Sequence, residues 1–187
     1  SHVTVYKWIG KYTDLMNQYI EKIHPQVSDT WRADEIYMKI KGNLKYLFAL
    51  MDDETRYWIA QEVAGTKQNH DAANLFHAGK EITGKRPNVL ITDGLHSYKI
   101  AFNKEFYTNT SPQSRHISAI KIAPHGGEAD NNKMERINGE IRDREKVMRG
   151  LKKVDTKILP GYQIFHNYIR EHEGLNGKTP AEACGIM

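Results

Sequence analysis

The sequence predicts an α/β protein built on a mixed sheet with helices packed against it, and three observations predict it. Apolar residues alternate with a period of two over Asp34–Lys41, and two further strand-like segments, Leu44–Met51 and Arg56–Glu62, follow it across turns; helical patterns and short apolar runs then alternate over residues 69–123; and a long helical pattern follows. A meander followed by strand–helix–strand units implies both antiparallel and parallel neighbours in one sheet. At 187 residues, such a chain buries roughly 70% of its unfolded surface and needs no cross-links.

The elements follow in order. Residues 4–24 read as a helix, because Val5, Trp8, Ile9, Tyr12, Leu15, Met16, Tyr19, Ile20 and Ile23 recur at spacings of three and four. His24-Pro25 stops it, and Gln26–Thr30 is a polar connector. In Asp34–Lys41, alternation sets Asp34, Ile36, Met38 and Ile40 on one face, and Glu35, Tyr37, Lys39 and Lys41 on the other. Gly42-Asn43 turns into Leu44–Met51, and Asp52-Asp53-Glu54 turns into Arg56–Glu62. Asn69–Glu81 is helical, Asn88–Asp93 a short apolar strand of the kind buried on both faces, and Leu95–Phe102 a brief helix. Beyond the loop 103–114, Arg115–Ala123 is expected as the last strand and 124–130 as a Gly-containing loop. A helix over Asn132–Arg149, a second over Pro160–Glu171 and a closing Thr179-Pro-Ala-Glu-Ala complete the chain. It opens on Ser1 inside a helical pattern, as expected of a fragment.

Composition removes several function classes. Cys184 stands alone, so no internal disulfide or cysteine-rich zinc module forms. No apolar run reaches the ~18 residues of a membrane span, and no secretory leader pattern is present, so a cytoplasmic protein without a membrane partner is expected. His70 and His77 lie seven apart on one helix, and His166 and His172 flank a turn and a half of another; zinc sites use tighter pairs and a third ligand. His96 and His125 fall near the carboxylates discussed next and read as solvated loop histidines. Trp31, Trp58 and the ten tyrosines read as core and strand residues.

Three carboxylates stand out. Asp34 shares a face with three apolar residues, an expensive position for an unpartnered charge. Asp93 ends an apolar strand before Gly94, at the carboxyl edge where α/β sheets place ligands. Glu135 lies in the first turn of the long helix, beside a seam of Met134, Ile137, Ile141 and Met148. Converging, they would repel one another unless cations neutralised them, and all-oxygen ligands favour Mg²⁺ or Mn²⁺. Each residue has a structural alternative. Asp34 could open an exposed edge strand, Asp93-Gly94 could be a turn, and Glu135 could complete a capping box with Asn132.

Charge adds a second signal. Between Lys133 and Lys157 lie nine basic and five acidic residues, an excess equal to the +4 of the whole chain. A basic stripe confined to one segment suits a phosphate backbone, and equally suits a solvated helix laced with ion pairs.

Trp31-x-x-Asp34-Glu35, Ile91-Thr92-Asp93-Gly94 and Asn132-x-x-Glu135-Arg136, with Arg142 seven residues on, form an ordered constellation. It resembles the catalytic core of DDE transposases of bacterial and archaeal insertion sequences, relatives of retroviral integrases. The nearest pattern is the short type whose core opens with W-x-x-D-E-T, where this chain has Ile36 in place of the threonine; 41 residues separate Asp93 from Glu135, more than is usual. The resemblance implies an RNase H-like five-stranded sheet flanked by helices over residues 31–158. It also implies a partial helix-turn-helix and linker helix over 1–30, since Ser1–Ile9 resembles a recognition helix, and a C-terminal helix and tail over 159–187. It further implies Asp34, Asp93 and Glu135 as catalytic and metal-holding triad, two Mg²⁺ or Mn²⁺ ions, and Arg142, Lys133, Arg136, Arg149, Asn131 and Asn138 against DNA. Transposon ends and target DNA become the expected partners, a homo-oligomer the expected assembly and the nucleoid the expected location. A decayed DNA-binding remnant and an RNase H-like nuclease of hybrids or junctions are the alternatives.

Overall fold

The computed structural model describes residues 1–119, 132–148, 151–152 and 156–186. Its elements run α1 (His2–Ile20), β1 (Thr30–Ile40), β2 (Asn43–Asp52), β3 (Trp58–Ala64), α2 (Asn69–Thr83), β4 (Val89–Thr92), α3 (His96–Glu105), β5 (Arg115–Ser118), α4 (Asn132–Met148), α5 (Ile158–Ile164) and α6 (Pro180–Ala183). Five strands form one mixed sheet in the order β3-β2-β1-β4-β5. The meander β1-β2-β3 is antiparallel, whereas β4 runs parallel to β1 and β5 parallel to β4. The expected α/β architecture is therefore the one adopted.

Both faces of the sheet are covered, and β1 divides its side chains between them. Trp31 and Ala33 point into a core with Phe48, Leu50, Phe76, Tyr98 and Phe106, closed by α2 and α3. Ile36, Met38 and Ile40 point into the opposite core with Met51, Met134, Ile137 and Ile141, closed by α4 and α5. α4 runs along β1: Asn138 reaches Asp34, and Glu145 Oε1 accepts from the Lys39 backbone N–H at 2.6 Å.

β3 is an edge strand, so part of its backbone needs partners from elsewhere. Asn167 supplies them: its Oδ1 accepts from Trp58 N–H at 2.8 Å and its Nδ2 donates to Trp58 C=O at 2.9 Å. Gln163 Nε2 adds a donation to the same carbonyl at 2.8 Å. Asn167 stands in a π-helical turn, Phe165–Ile169, that continues α5, and this turn docks the C-terminal segment on the sheet edge. Asn167→Ala orphans the buried Trp58 N–H, and we expect a loss of about 2 kcal/mol, read from the urea midpoint at unchanged m-value.

Several boundaries differ from the sequence reading. The first helix ends at Ile20 rather than at residue 24, and the C-terminal helix starts at Ile158 and finishes through the π turn at Ile169. The described part of the last strand stops at Ser118, and the loop 124–130 with His125 lies outside the described residues. Thr179-Pro-Ala-Glu182 is a capping box, with reciprocal bonds of 3.2 and 2.6 Å that fix the short α6. Trp31 and Trp58 are core residues as expected, but Tyr6, Tyr12 and Tyr19 are exposed on α1. No described helix is long and apolar enough to cross a membrane.

Candidate active site

The site forms where the sheet opens. β4 pairs with β1 only from Thr30 to Arg32 and ends at Thr92, so the β4-side edge of β1 loses its partner as Asp34 begins. Asp93 follows the end of β4. Gly94 then takes φ +92°, a turn that L side chains rarely adopt, and the Asp93 carboxylate accepts from the Leu95 backbone N–H at 3.0 Å.

Asp34, Glu35 and Asp93 each bring a carboxylate oxygen to within 4.8 Å of the others. Asp34 and Asp93 are the pair that the sequence singled out. Glu35 is the addition and a correction: alternation sets it on the face opposite Asp34, with Tyr37 and the lysines. Past the end of β4, side chains from both faces of β1 can turn toward the same open edge. Its position directly after Asp34 was the available signal.

Glu35 is held tightly. Its side chain is 3% exposed; Oε1 accepts from Lys67 Nζ at 2.6 Å and Oε2 from the Tyr98 hydroxyl at 2.8 Å. Lys67 also lies over the rings of Tyr37 and Tyr46, 5.2 and 5.0 Å from their centroids. Burial raises the Glu35 pKa, and the Lys67 bond works against that rise. Asp34 is pushed up to about 7, first by burial and then by the charges of Glu35 and Asp93. Its bonds from the Glu35 backbone N–H, 2.9 Å, and from Asn138 Nδ2, 2.8 Å, oppose the rise. Three converging carboxylates that offer oxygen donors only, one of them buried beside two like charges, fit a hard divalent cation.

Lys67 gives a direct check on this balance. Lys67→Met leaves the Glu35 carboxylate with Tyr98 as its remaining side-chain donor, so the chelated protein should lose about 2 kcal/mol. Added Mn²⁺ should restore most of the melting temperature, because it replaces the missing charge.

Glu135 is exposed in the first turn of α4, one helical turn before Asn138, and stands outside the 4.8 Å group. α4 is described from Asn132 onward.

A family model for a DDE domain of the IS240 transposase type matches residues 28–172, which contain all of these carboxylates. The chain belongs to the DDE transposases. It is similar to the transposase for insertion sequence-like element IS431mec of Staphylococcus aureus, 34% identical over 194 residues covering 100% of this chain and 80% of the relative. It is equally similar, with the same identity and coverage, to the S. aureus transposase for insertion sequence element IS257 in transposon Tn4003. Among solved structures, the catalytic core domain of HTLV-2 integrase in complex with magnesium has the same fold. Its dimeric form gives a TM-score of 0.57 at 15% identity over 84% of this chain and 95% of that one. Its trimeric form gives 0.58 at 13% identity over 87% and 98%. The RNase H-like sheet expected from the resemblance is thus the fold of this transposase.

The residues expected against DNA are scattered in role. Arg142 is exposed on α4. Around it, Asn138 is bonded to Asp34, Glu145 to the Lys39 backbone N–H, and Lys146 to Asp143 at 3.2 Å. Arg136 is exposed beside a small cavity under α4. Lys133 Nζ is bound by Asp53, at 2.8 Å from both its carboxylate and its backbone carbonyl. Asn138 is buried, with its amide directed at Asp34. Asn131 and Arg149 lie outside the described residues. His96 is exposed at the start of α3, and His166 and His172 are buried with their rings in edge contact with each other. Among the described residues no histidine joins a group of three potential metal ligands.

Proposed function

We propose that this transposase cuts the ends of its own element and joins them to target DNA, with Asp34, Asp93 and Glu135 as the catalytic and metal-holding carboxylates. The convergence of Asp34 and Asp93 at the open edge of β1, from strands far apart in sequence, is the observation that carries the reading. Two Mg²⁺ or Mn²⁺ ions, held by the triad, would supply Lewis acidity for phosphoryl transfer.

The chain's own residues do the rest. In the first step, a water oxygen bonds to the phosphorus of a phosphodiester, the bond to the 3′ oxygen breaks, and a free 3′-hydroxyl is left. In the second, that hydroxyl oxygen bonds to a target phosphorus and displaces one target strand end. Neither step needs a covalent protein nucleophile; both need in-line positioning. Asn138 fixes the orientation of the Asp34 carboxylate, and Lys67 with Tyr98 fixes Glu35 beside it. Arg142 and Arg136 present charge to backbone phosphates, with Lys133, Asn131 and Arg149 beside them, whereas Asn138, expected against DNA, is buried on Asp34 instead. Acting on paired ends calls for a homo-oligomer working on chromosomal DNA in the cytoplasm, at the nucleoid.

The test is a Mn²⁺-dependent nicking and joining assay on linear DNA carrying the element's terminal repeats, run beside an RNA–DNA hybrid and a four-way junction. We expect nicking at the repeat boundary, lost with a chelator. Preferential cutting of hybrid or junction would make the chain a different nuclease, and no metal-dependent cutting of any substrate would make it a binding remnant.

A further inference from the structure

Two buried histidines have no part in the carboxylate site. His166 stands in the π turn that continues α5, a departure from α-helical geometry that is frequent at functional positions. It is 1% exposed and His172 is 7% exposed, and their ring centroids lie 4.7 Å apart. His166 Nε2 faces the Arg56 backbone carbonyl at 2.9 Å, so Nε2 carries the proton and Nδ1 keeps a bare lone pair. Nδ1 of His166 and Nε2 of His172 are both buried without a hydrogen-bond partner. Buried polar atoms are almost always paired, so two neighbouring orphans call for something that enters.

Both rings line a cavity of about 90 Å³ under α4, with room for several waters or for one tetrahedral oxyanion. Arg56, Lys133, Arg136 and Glu140 bring charge to the same wall. Glu140 is paired with Arg170 and accepts from the Tyr162 hydroxyl at 2.9 Å. Lys133 shares the Asp53 carboxylate with Arg32. Arg56 and Arg136 meet no carboxylate among the described residues. We propose that this cavity is a phosphate site, in which Arg56, Arg136, His166 and His172 hold one phosphate group, either free or carried on the DNA backbone. A metal ion is the poorer occupant: the two guanidiniums repel it, and among the described residues no third ligand joins the imidazoles.

The orphaned nitrogens then have a role. Burial pushes His166 down to about 4, and burial followed by the charges of Arg170 and Arg56 lowers His172. Lys133 and Arg136 oppose protonation in the same sense as those arginines, and Glu140 favours it at both rings. The rings are therefore neutral near pH 7 while the cavity holds no anion. An entering oxyanion offsets the cationic wall, so the two nitrogens take up protons and donate to its oxygens. Binding consumes protons, and affinity rises as pH falls, by up to about tenfold per unit for each proton. Lys133 and Arg136 flank Glu135 on α4, so a backbone phosphate held here would anchor a DNA strand beside the carboxylates. The site itself rests on none of the carboxylate assignments.

Calorimetric titration of the full chain with sulfate tests it, in chelator so that no divalent cation takes part. Sulfate keeps its charge across the range used, from about pH 7.5 to 5.5, where phosphate does not. We expect saturable binding to one site that tightens at least about tenfold over that range. Two imidazole Cε1–H resonances should move to their protonated positions on adding sulfate at about pH 6.5. Arg136→Gln, at an exposed position, should weaken binding about tenfold at an unchanged melting temperature. His172→Gln keeps a donor, and should retain binding while flattening its pH dependence. Inorganic phosphate should compete with sulfate. A duplex oligonucleotide that also competes makes the DNA backbone the source, and one that does not makes it free phosphate. No sulfate binding, binding indifferent to both pH and Arg136→Gln, or imidazole resonances that stay fixed overturns the proposal, because the cavity then holds water alone.

Discussion

Asp34→Asn should abolish strand cleavage and joining, by at least about 10³-fold, while making the metal-free protein more stable. The two effects have one cause. Asp34 is the carboxylate that burial and two neighbouring acids push up to about 7. A folded-state pKa above the unfolded value of 3.8 means that the folded chain holds a proton the unfolded chain has released. Stability from this group is therefore fully present below about pH 3.8 and is lost as pH rises through about 7. At pH 8 the charge costs up to about 4 kcal/mol in the absence of metal. Asparagine removes that cost and keeps an oxygen for the bond from Asn138. In chelator, the variant should melt above the parent at pH 8 and close to it at pH 4, and it should lose the Mn²⁺-induced rise in melting temperature that the parent shows. An active variant, or one destabilised at pH 8, would remove Asp34 from the centre of the site.

Asp34 and Asp93 were legible because each breaks a local pattern, one a charge on an apolar face and the other a charge closing an apolar run. The strands and long helices were legible for the matching reason: periods of 2 and 3.6 survive in the sequence whatever the tertiary arrangement. Glu35 was not. Strand alternation separates neighbours onto opposite faces, and only the early end of β4 reunites them at an open edge. The helical pattern of α1 shows the same limit, with Tyr12 and Tyr19 left exposed. Periodicity says which residues share a face, but whether that face is covered depends on what α5 presents to it. The π turn at Phe165–Ile169 left no mark in the pattern either, since Asn167 reaches β3 through a geometry that periodicity does not encode.

Glu135→Gln should also remove activity, by about 10²-fold or more, with an unchanged melting temperature in chelator. The contrast with Asp34 follows from position. Glu135 is exposed on the first turn of α4, so neutralising it relieves no buried charge. Its claim to the site is helical geometry. Asn138, three residues later, already touches Asp34, and the two positions are about 4.5 Å apart along the helix axis, within the sweep of a glutamate side chain. A residue that joins the other carboxylates only when cations draw it in should change metal affinity and turnover but not folding. The double variant Asp34→Asn/Glu135→Gln should then be no less active than Asp34→Asn alone, because groups that hold the same ions fail together. Multiplying losses would instead mean that Glu135 acts independently of Asp34, for instance on the DNA backbone beside Arg142. Arg142→Ala separates these outcomes: it should weaken DNA binding, most at low salt, and leave the Mn²⁺-induced melting shift in place.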